Sequence, residues 1–428
     1  MKTTTSAQPS ADWTILVFMA GDNNLDNFGG TDLAEMKKSG SSDKIHVLVQ
    51  RDTERLGGGT CRYRVQKGTP LKKDEVQDLG ETNTGDPVVL ADFIAWGAKN
   101  YPAKRTMVVL WNHGNGWDDT DLYQEAKKRG LNPPTRPAAA GGKRAGVVNR
   151  GMLPANFVRR AAPKRRFRGP FFLTAWQFEK KSGPRRAIAF DDDAQDFLDN
   201  VEMKKVFDDA VKAAKKKFDI IGMDACLMSM VETGAQIRTS GTYFCGSQEL
   251  EPGAGWPYDR ILAALHADPA MDGRALSALI AKEFVAAYPK SEVVTQSACE
   301  LAAIPGVSKA ANALGTKLAA ALKKNDLALL GAIGRARDLA QGYEHPDYVD
   351  LQDFAENLAA LWPAAKADVK AITTALAACV FANHAPNAKV NRSHGLSIYL
   401  PAGKRSPLYQ KLVFAKGGWG KFVAAFKP

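Results

Sequence analysis

Apolar and polar positions follow two rhythms over the first 260 or so residues. The runs Thr14–Met19, Ile45–Gln50, Met107–Trp111, Phe218–Met223 and Thr242–Gly246 are short and rich in β-branched residues, which predicts buried strands. Between them, apolar residues recur at helical spacing. Asp86-Pro87 opens one such segment, the carboxylate as cap and proline at the first helical position. Val89, Leu90, Phe93, Ile94 and Trp96 then follow at helical intervals until Tyr101-Pro102 ends the pattern. Further helices are predicted near Asp32–Lys38, over Val201–Lys217 and over Leu227–Ile237, directly after Cys226. Gly21-Asp22-Asn23-Asn24 reads as a turn, and Gly57-Gly58-Gly59 as a loop before Cys61–Val65. Alternation of strand and helix favours an α/β fold with a mostly parallel sheet.

Beyond Trp256-Pro257-Tyr258 the chain turns rich in alanine and leucine. Helices are predicted near 274–288, 307–322, 326–341, 350–360 and 364–378, with strands at Val293–Thr295 and Leu396–Tyr399. The expected organisation is a disordered tail (1–12), an α/β domain (13–260) and a mainly helical C-terminal region (261–428). No repeat period is evident.

Charge changes this picture in one place. The chain carries a net charge of +12, yet 17 basic residues face a single acid between Lys127 and Arg186. That surplus exceeds the whole molecule's, so the remaining fold is slightly acidic. The segment 118–190 is also rich in proline and glycine, and a loop of such length inside a domain is functional or disordered. Three readings stand: a nucleic-acid patch with phosphate partners, a solvated loop, or a segment cut during activation. No apolar stretch reaches the roughly 18 residues that span a bilayer. The polar start and the short apolar run after it give no signal peptide. A cytoplasmic protein, or an exported one whose export segment is absent from this chain, is expected. Five cysteines show no metal spacing, and an odd number leaves at least one thiol free.

Two strands end in chemistry. Met107–Trp111 runs into Asn112-His113-Gly114-Asn115-Gly116, and Phe218–Met223 runs into Asp224-Ala225-Cys226. In parallel sheets the C-terminal strand edge is where ligand sites form. A lone cysteine is ordinarily a small buried hydrophobe, which is the reading for Cys61, Cys245, Cys299 and Cys379. Cys226 differs in standing at a strand-to-helix junction, where helix amides favour a thiolate. Among six histidines, only His113 follows a full hydrophobic strand and precedes glycines. A thiolate would attack a carbonyl carbon, and an imidazolium would protonate the leaving amine. The backbone N–H groups of Gly114 and Cys226 are expected to hold the oxyanion, at about 3 kcal/mol per donor. Asn112 is a candidate to orient the ring. Asp224 either bonds loop amides or faces a substrate.

These motifs carry a resemblance. Trp13 to Leu25 (WTILVFMAGDNNL), Trp111 to Trp117 (WNHGNGW) and Gly222 to Met228 (GMDACLM) resemble the signatures of the clostripain family of cysteine peptidases. Ser247-Gln248-Glu249, Gly255-Trp256-Pro257-Tyr258, Asp350 to Phe354 and Gly395 to Tyr399 extend it. The resemblance implies a caspase-like α/β/α sandwich, a Cys226–His113 dyad and endopeptidase cleavage after Arg or Lys. It also implies Asp224 lining the specificity pocket, where a buried carboxylate matches a guanidinium; Glu249 and Glu251 are candidates to add negative charge there. Self-cleavage between the two motifs is implied as well, with Lys143-Arg144, Arg159-Arg160 and Arg165-Arg166 as candidate positions. The partners expected are peptides or proteins with basic residues, neither membrane nor nucleic acid. No cofactor or metal motif is evident in the residues themselves; calcium comes from the resemblance alone. The alternative is a catalytically inactive module whose basic loop binds nucleic acid or an acidic partner.

Overall fold

Strand β1 (Ala11–Met19) is buried along its whole length, and from Ile15 on its side chains alternate between two apolar layers. Leu16, Phe18 and Ala20 enter one cluster, while Trp13, Ile15, Val17 and Met19 enter the other. A strand that is apolar on both faces belongs at the centre of a covered sheet. That is its place in the computed structural model, which describes residues 11–23, 25–53, 59–117, 188–191, 196–324, 326–401, 403 and 405–426. Residues 1–10 of the expected disordered tail lie outside the described residues. So do the candidate self-cleavage positions Lys143, Arg144, Arg159, Arg160, Arg165 and Arg166.

After β1 come α1 (Asp26–Met36), β2 (Ile45–Arg51), β3 (Cys61–Arg64), β4 (Glu75–Asp78), α2 (Pro87–Asn100) and β5 (Ala103–Trp111). The chain continues through β6 (Ile188–Asp191), β7 (Asp196–Leu198), α3 (Asn200–Ala214), β8 (Phe218–Asp224), α4 (Val231–Ile237) and β9 (Gly241–Gly246). Then follow α5 (Tyr258–Ala267), α6 (Gly273–Ala286), β10 (Gln296–Glu300), α7 (Ile304–Leu322) and α8 (Leu327–Leu339). The last elements are β11 (Tyr348–Asp350), α9 (Leu351–Leu361), α10 (Lys366–Cys379), β12 (Val380–His384), β13 (Ser397–Tyr399) and α11 (Gly418–Ala425).

The main sheet has the order β12-β10-β9-β8-β5-β1-β2-β3-β4. Its interior, β9 to β2, is parallel, and the flanking pairs are antiparallel. Helices α1, α5 and α6 cover one face; α2, α3, α4 and α7 to α11 cover the other. This is the α/β/α sandwich that the resemblance implies, built on the mostly parallel sheet expected from the alternating pattern. Residues past 260 contribute β10 and β12 to the same sheet.

Several expected bounds move. Helix α1 begins at Asp26, earlier than the 32–38 expectation. Helix α3 starts from Asp199, whose carboxylate caps Val201 and Glu202 while Glu202 reaches back, and it stops where Lys215 turns left-handed at φ 52°. The expected strand at Val293–Thr295 lies instead at Gln296–Glu300.

The expected helix directly after Cys226 is absent; α4 begins only at Val231. Leu227 has φ 63°, a conformation that breaks helical continuation. Residues 225–230 instead form a loop laid against the next one, Leu227 donating to Glu249 O (3.1 Å) and Ser229 to Ser247 O (2.8 Å).

Candidate active site

Strands β5 and β8 pair in parallel with Trp111 opposite Asp224. His113 and Cys226 each lie two residues beyond that pair, so equal overhangs bring them to one level of the sheet edge. The ladder extends one step further, Asn112 N–H donating to Asp224 O at 3.3 Å. Both residues line one cleft of about 430 Å³, measured with its open mouth, together with Leu25, Trp111, Asp224, Glu251 and Gly255. Among the described residues, none of the other five histidines lines this cleft. His394, for one, is paired with Asp350 at 2.9 Å.

The histidine loop is pinned from several sides. The Asn112 side chain donates to Ala20 O and accepts from the His113 N–H, so it holds that residue's backbone. The Tyr348 hydroxyl donates to Asn115 O at 2.6 Å, and Asn200 Nδ2 donates to Gly116 O at 3.1 Å. The His345 ring stacks on Tyr348 at 4.0 Å. Gly114 lies so close to the nucleophile strand that a Cβ would meet Cys226 O at 2.3 Å and Cys226 N at 2.8 Å. Only glycine fits there.

Cys226 is buried, with its sulfur between two backbone amides. Glu251 N–H donates to Sγ at 3.2 Å, and the Gly114 amide is the second donor. The thiol in turn donates to Glu251 O at 3.7 Å. Burial, reinforced by the charges of Glu251 and Glu249, pushes the thiol up to about 12. This corrects the expectation of a thiolate favoured by a helix N-terminus: no helix begins at Cys226, and the sulfur of this chain holds its proton.

Asp224 is 4% exposed at the cleft floor. It accepts from Tyr258 Oη (2.7 Å) and Trp256 N (3.3 Å). Burial raises its carboxyl to about 6, against the pull of those donors. Glu251, raised further by burial and by the Asp224 charge, hydrogen-bonds Asp224 and is held by Gln296 Nε2 at 3.1 Å. One proton between two buried carboxyls leaves the floor anionic. Gly255, at φ 53°, packs so tightly here that a Cβ would lie 3.0 Å from Asp224 Oδ1. Glu249 is placed elsewhere. Its carboxylate accepts from the Leu250 amide (2.8 Å) and the Glu344 amide (3.3 Å), outside the cleft lining.

Residues 17–131 and 174–416 match the model of the clostripain family, peptidase C11. The chain belongs to the clostripain family. Clostripain of Hathewaya histolytica is 24% identical over 284 residues, which is 59% of this chain and 42% of that protein. The matched part thus spans about two-fifths of that relative. An inactive zymogen C11 protease from Parabacteroides distasonis superposes with a TM-score of 0.63 at 17% identity, covering 99% of this chain and 100% of its own. A secreted C11 cysteine protease from Bacteroides thetaiotaomicron, solved with an irreversible peptide inhibitor, gives 0.61 at 18%, covering 95% and 99%. At such identity these likenesses carry the fold alone.

Sequence reasoning missed the Glu251 amide on the sulfur, Tyr258 and Trp256 behind Asp224, and Tyr348 on the histidine loop. Of these, Trp256 and Tyr258 belong to the Gly255-Trp256-Pro257-Tyr258 motif that carries part of the resemblance; the Glu251 amide carries no side-chain signal. Among the described residues, Asp22, Asp52 and Glu81 bring one carboxylate oxygen each within 4.8 Å of one another, a hard oxygen set that suits calcium. No helix of the described residues is long and apolar enough to cross a membrane.

Proposed function

We propose that this chain is a cysteine endopeptidase that cleaves after arginine or lysine through a Cys226–His113 dyad, and that it matures by cutting its own basic segment. The observation that carries the reading is the shared cleft, lined by Cys226 and His113 together with the buried carboxyls of Asp224 and Glu251. A substrate's basic side chain would enter toward Asp224 and Glu251, where its charge meets an anionic site in low dielectric. His113 would take the thiol proton and the sulfur would attack the carbonyl carbon; the Gly114 amide, released from the sulfur as the C–S bond forms, would bond the oxyanion together with the Cys226 amide. The imidazolium then protonates the departing amine as the C–N bond breaks, and water hydrolyses the thioester.

The protonated, enclosed thiol fits an uncut precursor. Seventeen basic residues between the two motifs offer an enzyme of this specificity many bonds. Calcium, brought by resemblance, would be held by Asp22, Asp52 and Glu81, and no step passes through it. A calcium-dependent rise in Tm, abolished by chelation and by Asp52→Asn, checks that site.

Purified wild type beside Cys226→Ala on a gel tests maturation: fragments in the first and one intact band in the second are expected. Arginyl, lysyl and aspartyl fluorogenic peptides test specificity. Turnover of the first two only is expected; no turnover of any would overturn the reading in favour of an inactive binding module.

A further inference from the structure

Three of the remaining cysteines are fully buried, and two of them meet. Cys299 in β10 lies opposite Val380 of β12, at a register shift between Ala298 and Cys299. Cys379, the last residue of α10, directly precedes Val380. Both are 0% exposed and belong to the same apolar layer. Their thiols are hydrogen-bond partners, and Cys379 Sγ also donates to Glu300 O at 3.6 Å. Cys245, although on the neighbouring strand, points into the opposite layer and donates to Ser277 O at 3.8 Å. Cys61 sits on β3, across the sheet. The fold therefore singles out one pair of five.

We propose that Cys299 and Cys379 are a disulfide site, closed when the chain meets a low-molecular-weight disulfide such as oxidised glutathione. One thiolate attacks a sulfur of the small disulfide and releases one small thiol. The other cysteine then attacks the resulting mixed disulfide and releases the second. Two protein thiols are oxidised by one disulfide, which leaves as two thiols carrying the two protons. Access comes at the sheet edge, where β12 is only partly covered and edge elements open most readily. The bond would clip α10 and the edge strand to β10. That strand begins with Gln296, whose amide holds Glu251 in the cleft. The proposal stands apart from peptidase activity, since it concerns thiols outside the cleft.

Peptide mapping without reduction tests it, on the full chain equilibrated with oxidised and reduced glutathione and then alkylated. The expected product is one pair of peptides joined through Cys299 and Cys379, with Cys61 and Cys245 alkylated. A loop of about 80 residues closed in this way should raise Tm by about 5 °C over the reduced chain. That rise should vanish in both Cys299→Ala and Cys379→Ala. Alkylation of both residues in the oxidised sample, a stable small-molecule adduct on either one, or joined peptides through other cysteines would overturn the proposal.

Discussion

Two buried carboxyl sites flank the loop that carries Cys226, and they are built for different ends. Asp224 and Glu251 meet at the floor of the cleft. Glu232, the second residue of α4, is sealed in the apolar layer, accepting from the Tyr409 hydroxyl at 2.9 Å and the Tyr399 amide at 3.2 Å. Burial raises both carboxyls, Asp224 to about 6 and Glu232 to about 7. Depth hardly separates them, at 4% and 0% exposure. Access does. A buried carboxylate becomes a receptor only where the protein leaves room for a counter-ion; elsewhere it is a hydrogen-bond acceptor that resists ionisation.

The sharpest way to break this comparison is to neutralise each site in turn. Asp224→Asn should lower kcat/KM for an arginyl peptide by about 10²–10³-fold, the cost of leaving a substrate charge without its buried partner. Glu232→Gln should change it by no more than about twofold. Equal losses would mean that both acids are structural.

Stability against pH separates the sites in the other direction. The folded pKa of Glu232 lies above its ordinary value near 4.3, so the folded chain holds that proton more tightly than the unfolded one. Its contribution is therefore fully present below about pH 4 and lost as pH rises through 7. Denaturant titrations from pH 5 to 8 should show Glu232→Gln escaping that loss, by about 3 kcal/mol at pH 8. Parallel curves for variant and wild type would contradict the assignment.

A smaller effect tests whether the histidine loop needs its anchor. Tyr348→Phe removes the 2.6 Å bond to Asn115 O and keeps the ring stacked under His345. A buried hydrogen bond of about 1–1.5 kcal/mol predicts a roughly tenfold fall in kcat with KM nearly unchanged, read from steady-state kinetics.

The parallel strands and their chemical ends were legible because each is an unbroken apolar run. Equal overhang past Trp111 and Asp224 then follows from the register. What was not legible is polar and buried. Strand β10 reads Gln-Ser-Ala-Cys-Glu, and its Gln296 and Ser297 are inward because Glu251, Ser229 and Gly395 satisfy them. Val293-Val294-Thr295 drew the strand prediction by hydropathy alone. The break at Leu227 was hidden for a different reason: a left-handed leucine is sustained by the bond of its amide to Glu249 O, a contact between distant residues. That break removed the helix expected to activate the thiol, and it left the Gly114 and Glu251 amides as the groups that hold the sulfur.

An arginyl chloromethyl ketone applied to the processed chain, followed by mapping of the adduct, tests the dyad and its pocket together. The account predicts one adduct on Cys226, formed far more slowly in His113→Ala and in Asp224→Asn, and none from the aspartyl analogue. Alkylation of a different cysteine, or equal labelling by the aspartyl reagent, would contradict it.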